Sequence, residues 1–143
     1  MDVNVNDVLN GTGGRAWWNG RLLASLTKCE AKMTGDFEDV AVCGDAAAHT
    51  LFNGWSGSGT LTLLKTDSEI ADQMIAAYTS GDMPDIQIVT ALTNARTKKS
   101  ARYQISGVVV TEVMVAAFEA KKQTEEEIPF NFSKIQPLES ISV

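Results

Sequence analysis

Three residues of this chain have the chemistry of a base, a nucleophile or a metal ligand: His49, Cys29 and Cys43. His49 is the single histidine and stands in "AAAHTLF", where we find no cysteine or carboxylate at metal-ligand spacing. Neither cysteine lies in a nucleophile signature. The glycines of "GWSGSG" precede a predicted strand rather than the helix that a phosphate site needs, so we interpret them as a loop. We therefore predict that the protein is not an enzyme and has no catalytic, metal or cofactor site.

The two cysteines have a structural interpretation. They lie at equal distances in the sequence from Asp36, so a hairpin centred there would bring their side chains close together. Two cysteines are too few for a disulfide framework, and a reducing cytoplasm would keep them as thiols. The polar start of the chain lacks the apolar segment of a signal peptide, and no stretch is long enough to span a bilayer. We expect synthesis in the cytoplasm and no membrane partner.

Charge is concentrated in two short segments of opposite sign. The basic turn "ARTKKSAR" contains Arg96, Lys98, Lys99 and Arg102, and the acidic run consists of Glu125, Glu126 and Glu127. Each segment is either a solvated loop or one half of a contact between two copies of the chain. The formal net charge is −6. This charge argues against binding nucleic acid, because such binding needs Lys and Arg to neutralise phosphates.

Two adjacent tryptophans give a physical indication of assembly. If Trp17 and Trp18 lie in a strand, they point to opposite faces of it. One can enter the core, and the other must be exposed or contact a partner, where tryptophan is enriched.

The hydrophobic pattern predicts one mostly β domain over residues 1–143, a sandwich or barrel with one short helix. Residues 1–12 are predicted to form a flexible arm, and Asn19-Gly20 favours a hairpin turn. We expect a long strand from Leu22 to Met33, a break at Gly35 and an irregular segment over residues 45–54. Further strands are predicted over 36–44, 55–66, 86–92, 103–113 and 114–122.

One segment has clear helical spacing. Ile70, Met74 and Tyr78 recur at intervals of four, and Thr66 with Glu69 has the pattern of a capping box. Gly81 is placed to end the helix, and Pro84 prevents its continuation.

The stretch "TEEEIPFNFSKIQP" has the alternation of a half-buried strand, in which Ile128, Phe130 and Phe132 share one face. Pro129 cannot donate to a ladder, so the strand should lie at a sheet edge or begin at the proline.

Three segments together resemble a known family. They are "GTGGRAWWNGRLLASLTKCEAKM", "GWSGSGTLTLLKTDSEI" and "EEEIPFNFSKIQPLESI". Their order and spacing resemble those of tail tube proteins from phages and from phage-tail-like particles of Gram-positive bacteria. The resemblance covers residues 11–141, nearly the whole chain.

The resemblance implies a structural virion protein, synthesised in the host and located in the phage tail. Six copies would form a ring whose sheets join into one β-barrel, and stacked rings would form a hollow tube that conducts DNA without binding it specifically. The partners would be the chain itself and a tail sheath or other tail proteins. The resemblance also implies that residues 34–54 form an extended loop or hairpin for stacking. The expected contacts between subunits or rings are Trp17, Trp18, Phe37, Phe52, Trp55, Arg96, Lys98, Lys99, Glu125, Glu126 and Glu127. The candidates for the lumen are Thr60, Thr62 and Glu30.

Two other functions fit the same sequence. One is a tail terminator or adaptor protein with the same fold, and the other is a small ligand-binding β-barrel. Particle size separates them, because a tube protein assembles into rings or filaments and a binding module remains a small particle.

Overall fold

The computed structural model describes residues 4–142. Within this range the chain forms one α-helix and two antiparallel sheets, so the prediction of a mostly β domain with a short helix is confirmed. The strands are β1 (Gly14–Trp18), β2 (Arg21–Leu22), β3 (Leu26–Val40), β4 (His49–Leu64), β5 (Ile88–Thr93), β6 (Ser100–Ser106), β7 (Val109–Val110), β8 (Glu125–Phe132) and β9 (Lys134–Glu139), and the helix is α1 (Glu69–Ser80).

The two sheets differ in strand order. The five-stranded sheet has the order β2-β1-β5-β6-β9, and the four-stranded sheet has the order β3-β4-β8-β7. The chain passes from one sheet to the other directly after the first hairpin. That hairpin turns at Asn19 and Gly20, which have φ values of 50° and 85°, as the sequence predicts.

A long hairpin, made of β3 and β4, dominates the four-stranded sheet. The two strands pair from Leu26 opposite Leu63 to Val40 opposite His49. The predicted break at Gly35 is wrong, because Gly35 pairs with Trp55 inside the ladder. The ring of Phe37 lies where a Cβ on Gly35 would stand, so the glycine makes room for a side chain instead of ending the strand. The irregular segment predicted from residue 45 gives way to strand at His49.

Two glycines of the partner strand β4 make room for aromatic rings in the same way. The ring of Phe132 lies against the backbone of Gly57, and the ring of Phe130 lies against Gly59. A Cβ at either position would clash with the ring. The interpretation of "GWSGSG" as a loop is therefore wrong, because these glycines belong to a strand that packs closely against aromatic side chains.

The helix ends as predicted and begins differently. Gly81 has φ 79° and closes the last turn through its N–H, which donates to the carbonyl of Ala77. The helix begins after Ser68, so the capping box predicted at Thr66 is wrong. Instead, the carboxylate of Asp67 accepts from the N–H of Glu69. Within residues 4–142 no helix has the length and apolar character needed to cross a bilayer.

The strand predicted over residues 114–122 is absent. Residues 111–124 form a connection between β7 and β8 with no helix or strand of its own. Its apolar residues have no ladder partner within the described chain, and pattern alone cannot supply one.

Pro129 lies inside β8, four residues after the strand begins. Its carbonyl accepts from the N–H of Thr111, and the N and O of one residue point to the same side in an antiparallel ladder. The missing donor therefore faces the side where β7 has already ended. Along Glu125–Ile128, that side of β8 has no strand partner among the described residues, so the expectation of an edge position holds for this half of the strand.

The core lies between the two sheets and beneath α1. Its members are Ala16, Trp18, Leu61, Leu63, Ile70, Met74, Ile88, Ile105, Val110, Ile128, Phe130 and Phe132, with others at its border. Full burial of a large apolar side chain contributes roughly 1.5–3 kcal/mol to stability. Along β4 the core reaches Gly57 and no further, because the residues of β4 before it are exposed or only partly buried.

Candidate assembly surfaces

The outward face of the four-stranded sheet is polar. Cross-strand rows run from Lys28 through Thr62 to Glu127, and from Glu30 through Thr60 to Pro129. Residues directly opposite each other in a ladder share one face. The three predicted lumen candidates, Glu30, Thr60 and Thr62, therefore lie on one surface, and the alternation of β8 adds Glu125 to it. We call this surface the polar face.

The polar face carries charges of both signs and is open to solvent. The Nζ of Lys28 lies 3.8 Å from a carboxylate oxygen of Glu30, and both side chains are largely exposed. Glu125 and Glu127 add two acidic groups across the threonines. An exposed pair of this kind contributes little to stability. The residues of this face are therefore free to serve a function other than folding.

The acidic run divides between the two faces of β8. Glu125 and Glu127 are exposed, whereas Glu126 is only 8% exposed. Its carboxylate lies 3.7 Å from the Nζ of Lys65. Glu126 thus has a partner inside its own chain, and only its two neighbours are available to another subunit.

The tryptophan pair divides in the same way. Trp18 enters the core and is 5% exposed, so it is the inward member of the pair. Trp17 lies on the opposite face of the five-stranded sheet, where the guanidinium carbon of Arg102 stands 5.2 Å from its ring centroid. This distance is typical of a cation–π contact. Trp17 is therefore partly covered by its own chain and partly open to a partner.

The basic turn is also divided. Arg96, Lys98 and Lys99 lie in the connection between β5 and β6, which the side chain of Asn94 closes by accepting from the N–H of Arg96 at 3.0 Å. Arg102 belongs to β6 and covers Trp17 instead. The described residues contain no ion pair between this turn and the acidic run. The predicted pairing of the two segments would therefore have to join different copies.

The far end of the long hairpin, residues 34–54, exposes a cluster of apolar side chains. We call these residues the hairpin arm. Phe37 is 60% exposed and Phe52 is 56% exposed, and their ring centroids are 5.4 Å apart. Leu51 and Val42 are also exposed. Trp55 stands at the base of the arm, 5.9 Å from the ring of Phe132. Three of the predicted contact residues, Phe37 and Phe52 in the arm and Trp55 at its base, are thus exposed outside the core.

Two residues of the connection between β7 and β8 are exposed apolar side chains that were not among the predicted contacts. Val115 is 76% exposed and Phe118 is 86% exposed. The signal was present in "MVAAFEAKK", whose apolar residues were assigned to a strand. Exposed apolar residues that stand together mark a contact surface more often than isolated ones do.

The residues with potential chemistry do not converge. His49 contacts the carboxylate of Asp45 at 2.6 Å, a partner that its sequence spacing did not predict. The hydrogen bond from His49 lowers the pKa of Asp45, and both side chains are exposed. Cys29 lies in β3 and Cys43 in the loop of the long hairpin, and both are free thiols. Because β3 continues past Asp36 to Val40, the hairpin that would bring the two cysteines together is not centred at Asp36. Residues 4–142 hold no group of three or more His, Cys, Asp or Glu placed to bind a metal ion.

Comparison with known proteins gives a family and a set of similar folds. A family model described as phage tail tube protein matches residues 1–139. The uncharacterized protein YqbM of Bacillus subtilis (strain 168) is 23% identical over 134 residues, which cover 92% of this chain and 91% of the relative.

Two cryo-EM structures have a similar fold. A chain in the tube-terminating cap of the anti-feeding prophage has a TM-score of 0.78 at 12% identity, over 98% of this chain and 97% of that chain. A chain in the sheath–tube complex of an extracellular contractile injection system, in its extended state, has a TM-score of 0.76 at 13% identity, over 95% of both chains. At such identities the likeness concerns the fold.

Proposed function

Because this chain belongs to the phage tail tube protein family, whose place is the virion tail, we propose that it is the repeating subunit of a hollow tail tube. Six copies form a ring, and rings stack into a conduit through which DNA passes from the capsid to the host cell. The observation that carries this proposal, beyond the family, is the four-stranded sheet, which combines a polar outward face with two edges that have no strand partner within residues 4–142.

The edges support closure of the ring. β3 is 15 residues long and has no strand partner on its outer side among the described residues. At the other end of the sheet, Glu125–Ile128 of β8 pair with β4 on one side and, among the described residues, have no strand partner on the other side, where β7 does not reach. An unpaired edge presents free N–H and C=O groups that favour pairing with another strand. When these two edges pair around a ring, the free groups of both edges gain partners and the strands form a closed barrel.

The polar face supports a channel that does not retain DNA. In a closed barrel made from four-stranded sheets, the core side faces outward and the polar face lines the lumen. Thr60 and Thr62 are uncharged. The three carboxylates Glu30, Glu125 and Glu127 outnumber the two cations of this face, Lys28 and Lys32. Fixed positive charge would hold phosphates and slow their passage, so a wall that is neutral or slightly acidic suits transit.

The hairpin arm supports stacking. Its aromatic residues extend beyond the core, and in a ring all six arms project from the same side. Burying Phe37, Phe52 and Trp55 against the next ring removes them from water, which is the main favourable contribution in most protein association. The same head-to-tail contact, repeated, generates a tube of unlimited length.

Contact between the basic turn and the acidic run would fix the register of adjacent copies. Glu125 and Glu127 are the exposed members of the acidic run, and Arg96, Lys98 and Lys99 are exposed in the basic turn. We expect E125K/E127K to weaken assembly and K98E/K99E to restore it in the combined variant, as measured by sedimentation of assembled material. Glu126 is left unchanged in this design because its partner is inside the chain. Failure of the second pair to rescue the first would show that the two segments do not meet.

Electron microscopy of the purified protein tests the proposal as a whole. Negative-stain images at micromolar concentration should show six-fold rings and tubes with an open lumen. An E30K/T62K variant makes the polar face basic without changing Glu125 or Glu127, and should slow DNA release from complemented particles, which quantitative ejection assays would measure. Protein that remains a monomer at all concentrations and salt conditions would overturn the proposal.

A tube terminator is the second candidate function. The TM-score with the tube-terminating cap is 0.78, and that with the sheath–tube complex is 0.76, so the fold does not separate the two roles. A terminator caps a tube with a single ring and does not polymerise. Images that show single rings at every concentration, without tubes, would assign this role to the chain.

A further inference from the structure

An open apolar groove of about 840 Å³ lies between the two sheets, beside the core. Alternate residues of β3, namely Cys29, Ala31 and Met33, form one wall, and Leu92, Tyr103 and Ile135 of the five-stranded sheet form the other. Its volume is within the roughly 300–1,000 Å³ that specific binding sites enclose. The groove is therefore large enough to receive several side chains.

The connection between β7 and β8 carries apolar residues that are exposed in the single subunit. It comprises residues 111–124 and has no regular structure. Connections longer than about 12–15 residues without regular structure are uncommon in compact domains and are usually functional. Val113 packs against the core, whereas Val115 and Phe118 are 76% and 86% exposed. The chain thus starts on the core side of the four-stranded sheet and then extends away from it.

The groove and this connection lie at opposite edges of the same sheet and on the same side of it. β3, which walls the groove, is one edge strand, and β7 and β8, which flank the connection, stand at the other edge. Val113 contacts the core, and the groove-facing residues of β3 stand in the ladder opposite core or core-facing residues of β4, such as Cys29 opposite Leu61. When the β7–β8 edge of one copy meets β3 of the next, the connection comes to lie over the groove of that neighbour.

We propose that residues 111–124 of each copy fill the groove of the next copy in the ring, with Val115 and Phe118 between β3 and the five-stranded sheet. This inference rests on the ring described under the proposed function. Position in the fold supports the choice of occupant, because the connection leaves the opposite edge of the sheet on the groove side. The charged residues that line the groove in the described part of the chain are the cations Arg15 and Lys28. The connection is neutral as a whole, since Lys121 and Lys122 balance its two glutamates, and Glu119 lies 3.3 Å from Lys122. Glu112 forms no ion pair within residues 4–142 and is the carboxylate available to these cations.

A disulfide trap tests the contact directly, because Cys29 already lines the groove. In F118C/C43S, the new thiol should come within disulfide range of Cys29 of the neighbouring copy, which requires a Cα–Cα distance of about 4.4–6.8 Å. Oxidation of assembled material should give a ladder of linked species up to the hexamer on a non-reducing gel, at least tenfold more than in dilute, unassembled protein. V109C/C43S is the matched control, because Val109 is exposed at the same sheet edge on the opposite face.

A second variant gives an independent readout. V115S/F118S should keep the secondary structure of the monomer and raise the concentration needed for ring formation at least tenfold. Rings that form normally from this variant, together with no cross-link in F118C/C43S, would overturn the inference and leave the tube proposal standing. A cross-link from F37C/C43S to Cys29 in its place would assign the groove to the hairpin arm and also overturn it. Wild-type protein that forms no rings would instead overturn the proposed function, and this inference with it.

Discussion

The two ends of the long hairpin contrast in what covers their apolar side chains. At the near end, Leu61 and Leu63 are buried against Phe130 and Ile128 and belong to the core. At the far end, Phe37, Leu51 and Phe52 are as apolar and lie in the same two strands, yet each is more than half exposed. The difference teaches that the strand pattern of this chain serves two purposes. The near end stabilises the subunit, and the far end presents apolar side chains that the described residues of the single chain leave exposed.

The largest effect is expected at the near end. Phe130→Ala removes a fully buried ring that packs on Gly59 and next to Phe132. We expect the free energy of unfolding to fall by about 3–5 kcal/mol. Phe37→Ala is the matched change in the arm and should cost less than about 1 kcal/mol. Chemical denaturation of unassembled protein measures both, and equal losses would remove the distinction between the two ends.

The second prediction concerns assembly, for which the larger effect is expected in the hairpin arm and not at the near end. F37S/F52S removes two exposed rings from the arm, each worth roughly 1.5–3 kcal/mol when buried. The critical concentration for tubes should rise by about 100-fold or more, since each 1.4 kcal/mol corresponds to a factor of ten. F37L/F52L keeps apolar side chains and should assemble nearly normally. Light scattering against concentration gives the value, and unchanged assembly of the serine variant would exclude the arm from stacking.

The third prediction compares two neighbouring glutamates that face opposite ways. Glu126→Gln leaves Lys65 without a carboxylate and keeps a buried polar group, so we expect a loss of about 1–3 kcal/mol in unfolding free energy. Glu127→Gln changes an exposed side chain on the polar face and should alter stability by less than about 0.5 kcal/mol. Denaturation of the two variants at pH 7 would show whether burial, rather than sequence position, decides the role of each acid.

The smallest expected effect is a pH dependence of stability that differs between the hairpin arm and the rest of the subunit, which we call the body. The hydrogen bond from Arg21 lowers the pKa of Asp67 at the start of α1, and the hydrogen bond from His49 lowers the pKa of Asp45 in the arm. A lowered pKa gives stability that is present above the unfolded value, about 3.9, and is lost as pH falls through the folded value.

Asp67→Asn should therefore slightly reduce global stability at pH 7 and have no effect at the acid end of the range. Asp45→Asn should leave global unfolding unchanged at both pH values if the arm opens independently of the body. Thermal unfolding at pH 7 and pH 2.5 provides the comparison. A global loss from Asp45→Asn would mean that the arm and the body unfold as one unit.

Local chemistry made several elements readable from the sequence. The turn at Asn19-Gly20 needs two residues that tolerate positive φ, and the end of α1 needs a residue like Gly81 in the left-handed conformation. The alternation of Ile128, Phe130 and Phe132 predicted a half-buried strand correctly, because side chains on a strand alternate faces whatever surrounds them. Alternation also puts Thr60 and Thr62 on one face of their strand, but only the pairing of β3 with β4 brings Glu30 beside them.

What the tertiary structure decided was which face meets the core and where strands find partners. Alternation separates Trp17 from Trp18 and Glu126 from its neighbours, but only the packing of the two sheets makes Trp18 and Glu126 the buried members. Gly35, Gly57 and Gly59 suggested breaks or loops, yet each lies in a ladder, with an aromatic ring in the space of its missing Cβ. For Gly57 and Gly59 that ring comes from β8, which is distant in the sequence. Residues 114–122 had a pattern suited to a strand and remained without one. A ladder needs a partner edge, and the partner that a strand finds depends on contacts distant in the sequence.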